Sequence, residues 1–375
     1  MAYDCIIVGA GPAGSTAAYH LAKKGHSVLV LDKLSLGRSQ PGGGGVSPAI
    51  AQWFDFDFSP AISLKVNKVR YTRNLSDPVE VDLETKEPMW MVRRDVFDRF
   101  LVEQAQKQGA ELRDKTAVTG IEFKNDSWQV NTSGEPVVGR YLIAADGADS
   151  SVARALGFKA PKTRMAAALE VPGSNANSSD AAICFEMGLV KNGFIWQFPK
   201  ADGYSLGTGT FIGGDGKKLP QTLADFAKNT GLNVATAQAF DRPMVLWDGD
   251  RTLHAQNAVI AGDAAGVADP FTAEGVRPSM FSGLQASQAV SKALSGTSDA
   301  LAGYTQVMNE VWGADMVWAG RLAGAFYRFP GPGYKIGVKT PEATQIMLKI
   351  LCGELRYSEV VGRAMKRLTG GLFGG

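Results

Sequence analysis

The chain has 375 residues, of which 45% are hydrophobic and 20% charged, and its formal net charge is +2. Plentiful apolar residues exclude a disordered chain, near-neutrality gives no case for a nucleic-acid partner, and no apolar run reaches the ~18 residues of a spanning helix. Glycine is the outlier at 44 residues, where average usage gives about 26, and no Gly-X-Y period makes the chain collagenous.

Tyr3-Asp4-Cys5-Ile6-Ile7-Val8 is an apolar run of strand length. Gly9-Ala10-Gly11-Pro12-Ala13-Gly14 follows, then an Ala-rich helix from Ser15 to Lys24 stopped by Gly25. A second apolar strand, Ser27-Val28-Leu29-Val30-Leu31, ends at Asp32. Strand, G-x-G-x-x-G, helix, strand and acid together form a dinucleotide-binding signature. Its first glycine makes the turn, the second lets backbone reach a pyrophosphate, and the third lets helix pack on strand. The helix start offers unpaired N–H groups and a positive dipole to phosphate. Asp32, 18 residues after Gly14, is placed for ribose hydroxyls; an acid suits the free 2′-OH of FAD or NAD and disfavours NADP.

Further along, Gly42-Gly43-Gly44-Gly45 marks close backbone approach to something. Segments 61–89 and 161–249 alternate like strands, as in Ala181-Ala182-Ile183-Cys184-Phe185-Glu186-Met187. Tyr141-Leu142-Ile143-Ala144-Ala145 is a strand ending in Asp146-Gly147-Ala148-Asp149-Ser150, with a helix start at Ser151. Phe194, Trp196 and Phe198 recur at period two, so one strand face carries all three aromatics, as a substrate wall or as sheet core. Ala258-Val259-Ile260-Ala261 is another strand, ending in Gly262-Asp263-Ala264-Ala265. Both Asp–Gly pairs sit at the C-terminal end of a strand, where α/β sheets bind ligands. An extended FAD needs a second anchor, and Asp263 suits a ribityl hydroxyl. From about 296 the pattern is helical, broken at Pro330-Gly331-Pro332-Gly333, and Gly370-Gly371-Leu372-Phe373-Gly374-Gly375 reads as a mobile tail. No internal repeat occurs. Residues 311–375 hold nine Lys/Arg against four Asp/Glu, +5, leaving −3 for the rest.

Three histidines (His20, His26, His254) and three cysteines (Cys5, Cys184, Cys352), without C-x-x-C, give no zinc site or disulfide framework. A Ser-His-Asp hydrolase would have to use one of only these three histidines. The sparse cysteines fit a reducing, cytoplasmic setting, and Met1-Ala2-Tyr3-Asp4 lacks the basic start of a signal peptide.

The glycine motif, Asp146-Gly147, Gly262-Asp263-Ala264-Ala265 with Asp269-Pro270, and Arg94-x-x-Phe97-Asp98 resemble the flavoprotein class of aromatic hydroxylases and their relatives. A narrower resemblance spans nearly the whole chain. Gln40-Pro41-Gly42-Gly43-Gly44-Gly45-Val46-Ser47-Pro48 resembles the Pro-Cys-Gly-Gly-Gly-Leu-Ser stretch of the geranylgeranyl reductase family. Phe194-Ile195-Trp196-Gln197-Phe198-Pro199-Lys200 is similar to that family's Tyr-x-Trp-x-Phe-Pro-Lys segment. Asp269-Pro270-Phe271-Thr272-Ala273-Glu274-Gly275-Val276 and Gly353-Glu354-Leu355-Arg356-Tyr357 resemble its Pro-x-Thr-Gly-Glu-Gly-Ile and Gly-Glu-x-x-Tyr stretches. There are departures: Gly42 stands where the family often has a cysteine, Phe194 replaces a tyrosine, Ala273 replaces a glycine, and Arg277 follows Val276 where a small or apolar residue is usual.

The resemblance implies an α/β fold: a Rossmann-like FAD-binding domain (1–60, 90–160 and 250–295), an inserted, mostly antiparallel β-sheet substrate domain (61–89 and 161–249) and a helical C-terminal region (296–375). It implies FAD contacts at Gly9, Gly11, Pro12, Ala13, Gly14, Asp32, Lys33, Gly43, Gly44, Gly45, Val46, Arg94, Val118, Asp146, Gly147, Gly262, Asp263, Pro270, Gly275 and Val276, and substrate contacts at Phe194, Trp196 and Phe198. No metal is implied. The activity implied is reduction of isoprenoid C=C bonds by hydride from reduced flavin, with NAD(P)H or a ferredoxin as a transient electron donor. No catalytic side chain stands out, and water, Tyr204 and Lys200 are unranked proton sources. A flavin monooxygenase and a non-catalytic prenyl-binding relative are the competing classes. A lipid substrate would suit peripheral membrane contact through Arg363, Met365, Lys366, Arg367, Leu368, Leu372 and Phe373.

Overall fold

Strand Ala2–Val8 lies at the centre of an eight-stranded sheet, paired in parallel with Val28–Leu31 on one side and Val137–Ala144 on the other. In this computed structural model, which describes residues 2–38, 42–173 and 181–370, Glu111–Arg113 and Ala258–Ile260 extend the parallel order outward. Strands Ser127–Thr132 and Val118–Lys124 fold back antiparallel from Val137–Ala144. Cys5, Ile6 and Ile7 are fully buried, as expected of parallel strands covered on both faces. Helix Pro12–Lys23 lies against helix Val276–Leu294, and a Cβ on Gly283 would overlap the Ala13 carbonyl, so their close approach requires glycine there.

A second sheet has seven strands in the spatial order Gln238–Val245, Thr163–Pro172, Gly203–Gly209, Phe194–Lys200, Ala182–Met187, Lys68–Arg73 and Ser76–Asp82. Every pairing is antiparallel except Ala182–Met187 with Lys68–Arg73. Side-chain alternation splits its two faces. Ile195 and Leu206 pack under helix Leu219–Asn229, whereas Ile183 and Phe194 pack towards Tyr327, Tyr334 and Leu348 of the C-terminal helices.

A three-stranded sheet, Gly45–Val46, Met89–Met91 and Leu64–Val66, joins the two. Its middle strand runs across the domain boundary expected between 89 and 90, because Met89, Trp90 and Met91 pair continuously with Leu64–Val66. The C-terminal region comprises helices Ala300–Val307, Ala314–Arg328, Pro330–Gly337, Pro341–Leu351 and Tyr357–Gly370. The Pro-Gly-Pro-Gly segment starts a helix instead of interrupting one. Pro330 occupies the first turn, where its missing N–H costs nothing, and the chain breaks at Phe329 (φ −126°, ψ 64°). No helix among the described residues is long and apolar enough to cross a membrane. Of the C-terminal residues expected to meet a membrane, Arg363 is exposed, and the side chains of Met365, Lys366, Arg367, Leu368, Leu372 and Phe373 lie outside the described residues.

Candidate functional site

Residues that directly follow the parallel strands (Gly9, Asp32, Ala145 and Asp146, Gly262 and Asp263) line one cavity of about 550 Å3, within the range of ligand sites. Two of the three motif glycines serve the backbone. Gly9 has φ +104° and a Cβ there would overlap the Ala145 carbonyl; one on Gly14 would overlap the Gly9 carbonyl. Gly11 is different. A Cβ there would meet nothing within 4 Å, and Gly11 caps helix Pro12–Lys23 without any side-chain bond. The first helical N–H groups therefore open towards the cavity, as a pyrophosphate requires.

Asp32 is 5% exposed and fixed in place. It accepts from Ala10 N at 2.8 Å and Leu34 N at 2.9 Å, and Arg38 Nη2 approaches it at 3.1 Å. Arg38 was not legible as a site residue, because only the folded loop returns it to the strand end. Its buried Nε has no partner among the described residues. Lys33 and Val118 share this wall, as do Pro12, Ala13 and Gly147. Asp146 is on the cavity too, but its carboxylate accepts from the Ser150 hydroxyl and Val152 N at the start of helix Ser151–Ala155.

The next wall is the Gly42–Gly45 loop with Arg94. Gly44 has φ +69° and no room for a Cβ beside the Val92 carbonyl. Arg94 donates twice to Asp98, at 2.8 and 2.9 Å. Burial weakens its charge, but the carboxylates of Asp98, Asp263 and Glu170 outweigh this and raise it above the ordinary arginine value. Beneath the loop, Ser205 Oγ lies 3.1 Å from the Gly42 carbonyl and 2.7 Å from Glu170 Oε1, while Glu170 Oε2 accepts from Lys200 Nζ at 3.0 Å.

The third wall is the turn 272–276. Asp269 accepts from Phe271 N (2.7 Å), Thr272 N (3.2 Å) and the Tyr357 hydroxyl (2.8 Å). Burial nonetheless raises its carboxyl above the usual range. Glu274 Oε1 accepts from Arg277 N at 2.7 Å and caps helix Val276–Leu294, and burial raises this carboxyl as well. Ala273 has φ +59°, so the alanine that replaces a glycine sits in a left-handed conformation. Arg277 lies over the Trp312 ring at 5.8 Å and reaches the Ile350 carbonyl at 3.4 Å.

Phe194, Trp196 and Phe198 face the same cavity, with Val69, Leu83, Met91, Ile183, Phe185, Leu348 and Leu351 around them. A Cβ on Gly43 would lie 2.6 Å from the Phe198 ring and 2.8 Å from Trp196 Nε1, so the glycine loop rests directly on the aromatic strand. Cys352 completes this wall; burial pushes its thiol up to about 11, leaving it neutral.

Several expected residues stand elsewhere. Val46 points away from its neighbour Gly45 and is fully buried with Ile50 and Trp90. Pro270 is buried outside the cavity wall, beside Gly320 of helix Ala314–Arg328. Gly14 acts through helix packing, not as cavity wall. Tyr204 pairs with Pro199, not Phe198, and so turns to the opposite sheet face, against the Leu223 and Phe226 cluster. Lys200 is tied to Glu170 under the loop. Neither Tyr204 nor Lys200 lines the cavity.

Residues 2–187 match the FAD binding domain family. The chain is 30% identical over 310 residues to a digeranylgeranylglycerophospholipid reductase of Methanocaldococcus jannaschii, covering 78% of each. It is 28% identical over 309 residues to a geranylgeranyl diphosphate reductase of Rhodobacter capsulatus, covering 77% of this chain and 75% of the relative. Among solved structures it resembles a geranylgeranyl bacteriochlorophyll reductase-like protein of Thermoplasma acidophilum, with a TM-score of 0.78 at 23% identity over 97% of this chain and 96% of the other. It also resembles the flavin-dependent brominase Bmp2, with a TM-score of 0.73 at 19% identity over 99% of this chain and 100% of that one. These two structural likenesses carry the fold alone. The open helix start at Gly11, the fixed Asp32 and the glycine loop fit FAD, which is the cofactor. With this cradle and its likeness to named reductases, the chain belongs to the geranylgeranyl reductase family of FAD-dependent oxidoreductases.

Proposed function

We propose that the protein reduces C=C bonds in a geranylgeranyl or related isoprenoid chain. The observation that carries this reading is the contact between the Gly42–Gly45 loop and the Trp196 and Phe198 rings, which joins an FAD cradle to an apolar, aromatic-lined chamber. FAD, once reduced by NAD(P)H or a ferredoxin, supplies the hydride. The chain's own residues do the rest. Gly43 and Gly45 keep side chains out of the space between loop and substrate wall. Phe194, Trp196, Phe198 and Phe185 hold the prenyl chain by apolar burial and exclude water. Arg94, neutralised by Asp98, braces the loop from beside the Asp263 strand end. Each reduced bond also takes one proton, and neither Lys200 nor Tyr204 lines the cavity to supply it.

Adding a geranylgeranyl lipid to the pre-reduced protein without oxygen tests the reading. Return of oxidised flavin absorbance supports it. Reoxidation that requires oxygen, and leaves an oxygenated product, favours the flavin-dependent monooxygenase alternative. Purified protein devoid of flavin absorbance would instead favour a non-catalytic prenyl binder.

A further inference from the structure

We propose that the outer face of helices Ala314–Arg328 and Pro330–Gly337 docks on an anionic lipid bilayer. Phe329 is 64% and Ile336 68% exposed, the two most exposed large hydrophobic residues among those described. Phe329 is the non-helical residue that precedes the second helix and Ile336 lies in its last turn, so the two stand at its opposite ends. Pro332 between them is exposed, and on the preceding helix exposed Leu322 and Ala325 lead towards Phe329 in steps of three and four.

A cation precedes each large apolar side chain: Arg321 before Leu322, Arg328 before Phe329, Lys335 before Ile336. All three are exposed, and none has an acidic partner among the described residues. No Asp or Glu occurs from Met316 to Thr340. Apolar side chains flanked by cations that have no acidic partner among the described residues, Arg321 lying over the Trp318 ring at 4.5 Å, match the headgroup boundary of an anionic leaflet, where rings enter the acyl edge and cations meet lipid phosphates. A second copy of the chain fits poorly, because a two-fold contact would set these cations against themselves.

The inner side of the same helices faces the chamber. Tyr327 stacks on Phe194 and Phe271, and the Tyr334 hydroxyl bonds the Tyr71 and Asp77 carbonyls. One helix layer therefore separates the exposed apolar face from the aromatic wall. The choice of a bilayer rests on the proposed isoprenoid substrate, which such a surface would supply.

Flotation of the full-length, FAD-loaded protein with phosphatidylcholine vesicles, with and without phosphatidylglycerol, tests the surface. Wild type should float with the phosphatidylglycerol vesicles and be released by salt. Phe329→Ser with Ile336→Ser should weaken partitioning ~100-fold, about tenfold for each buried side chain. Arg321→Gln with Arg328→Gln and Lys335→Gln should weaken it by a similar factor on anionic vesicles only. Both variants should keep their flavin absorbance and reduce detergent-dispersed lipid as wild type does. Wild type that ignores both vesicle types, or either variant floating undiminished, would overturn the proposal. So would a wild-type dimer that the Phe329/Ile336 variant turns into monomers, or ferredoxin binding without flotation that the charge variant abolishes. Flotation without reduction of any lipid would sink the proposed function and leave the surface standing; reduction in detergent without flotation would do the reverse.

Discussion

The Tyr357 hydroxyl donates to Asp269 Oδ2 at 2.8 Å, and both residues are buried although 88 positions apart. Ser47 Oγ donates to the Cys352 carbonyl at 2.7 Å, so the chain from 350 to 357 ties down the loops on both sides of the cavity. Tyr357→Phe removes one bond to a buried carboxylate and should cost ~1–3 kcal/mol of stability. Chemical unfolding of the two proteins measures it, and an unchanged midpoint would show that the bond is not made.

Asp269 also makes a signed prediction about pH. Burial raises its carboxyl above the ordinary value of 3.8, despite opposing bonds from Phe271, Tyr357 and Thr272. The folded state then binds this proton more tightly than the unfolded state. Its stabilising contribution is complete below the ordinary value and is lost as pH rises through the raised native value. Asp269→Asn should remove this part of the pH dependence, seen as a wild-type minus variant difference in unfolding free energy that declines across that window. A flat difference would contradict it.

Gly11 and Gly14 should separate ligand binding from folding. Gly11→Ala places a methyl in open space on the cavity wall. It should leave the melting temperature of the FAD-free protein unchanged while weakening FAD affinity ~10-fold or more, the equivalent of about 1.4 kcal/mol. Gly14→Ala would drive a methyl into the Gly9 carbonyl and should compromise folding itself. Fluorescence titration of FAD and thermal unfolding read the two effects separately.

Arg94→Met leaves Asp98, 5% exposed, as a buried unpaired charge, at a cost of about 3–5 kcal/mol. Combining it with Asp98→Leu should recover most of that stability without recovering FAD affinity. Recovery of both would reduce Arg94 to a structural partner.

Ala273 holds φ +59° in the turn against the cavity. A left-handed L-residue costs ~1–2 kcal/mol, and glycine's extra chain entropy takes back roughly 0.5–1. Ala273→Gly should therefore stabilise the protein by about 0.5–1 kcal/mol in a denaturant titration; destabilisation would contradict the strain.

The local parts of this architecture were legible in the sequence. Strand Ala2–Val8, the Gly9–Gly14 turn, helix Pro12–Lys23 and Asp32 follow one another within a single βαβ unit, so order and spacing carry the geometry. The departure at Ala273 was visible, but its left-handed backbone was not. What spacing could not supply were contacts made by distant chain. Leu83, Leu348, Leu351 and Cys352 reach the chamber from segments over 250 residues apart, and no periodicity places them together. Tyr204 and Lys200 could be told apart only once strand register paired Phe198 with Ser205 and turned Tyr204 away. The burial of Val46 and Pro270 behind the loops likewise depends on which neighbours the two small turns meet.

The proposed reaction is hydride transfer from reduced FAD to an isoprenoid held against the Trp196 and Phe198 rings. Its most direct test is mass spectrometry of a geranylgeranyl lipid after anaerobic incubation with the reduced protein. The expected product is a lipid carrying two added hydrogens for each reduced double bond, lost in a Trp196→Ala variant that still binds FAD. A lipid of unchanged mass, or one that has gained oxygen or halogen when air and halide are admitted, would contradict it.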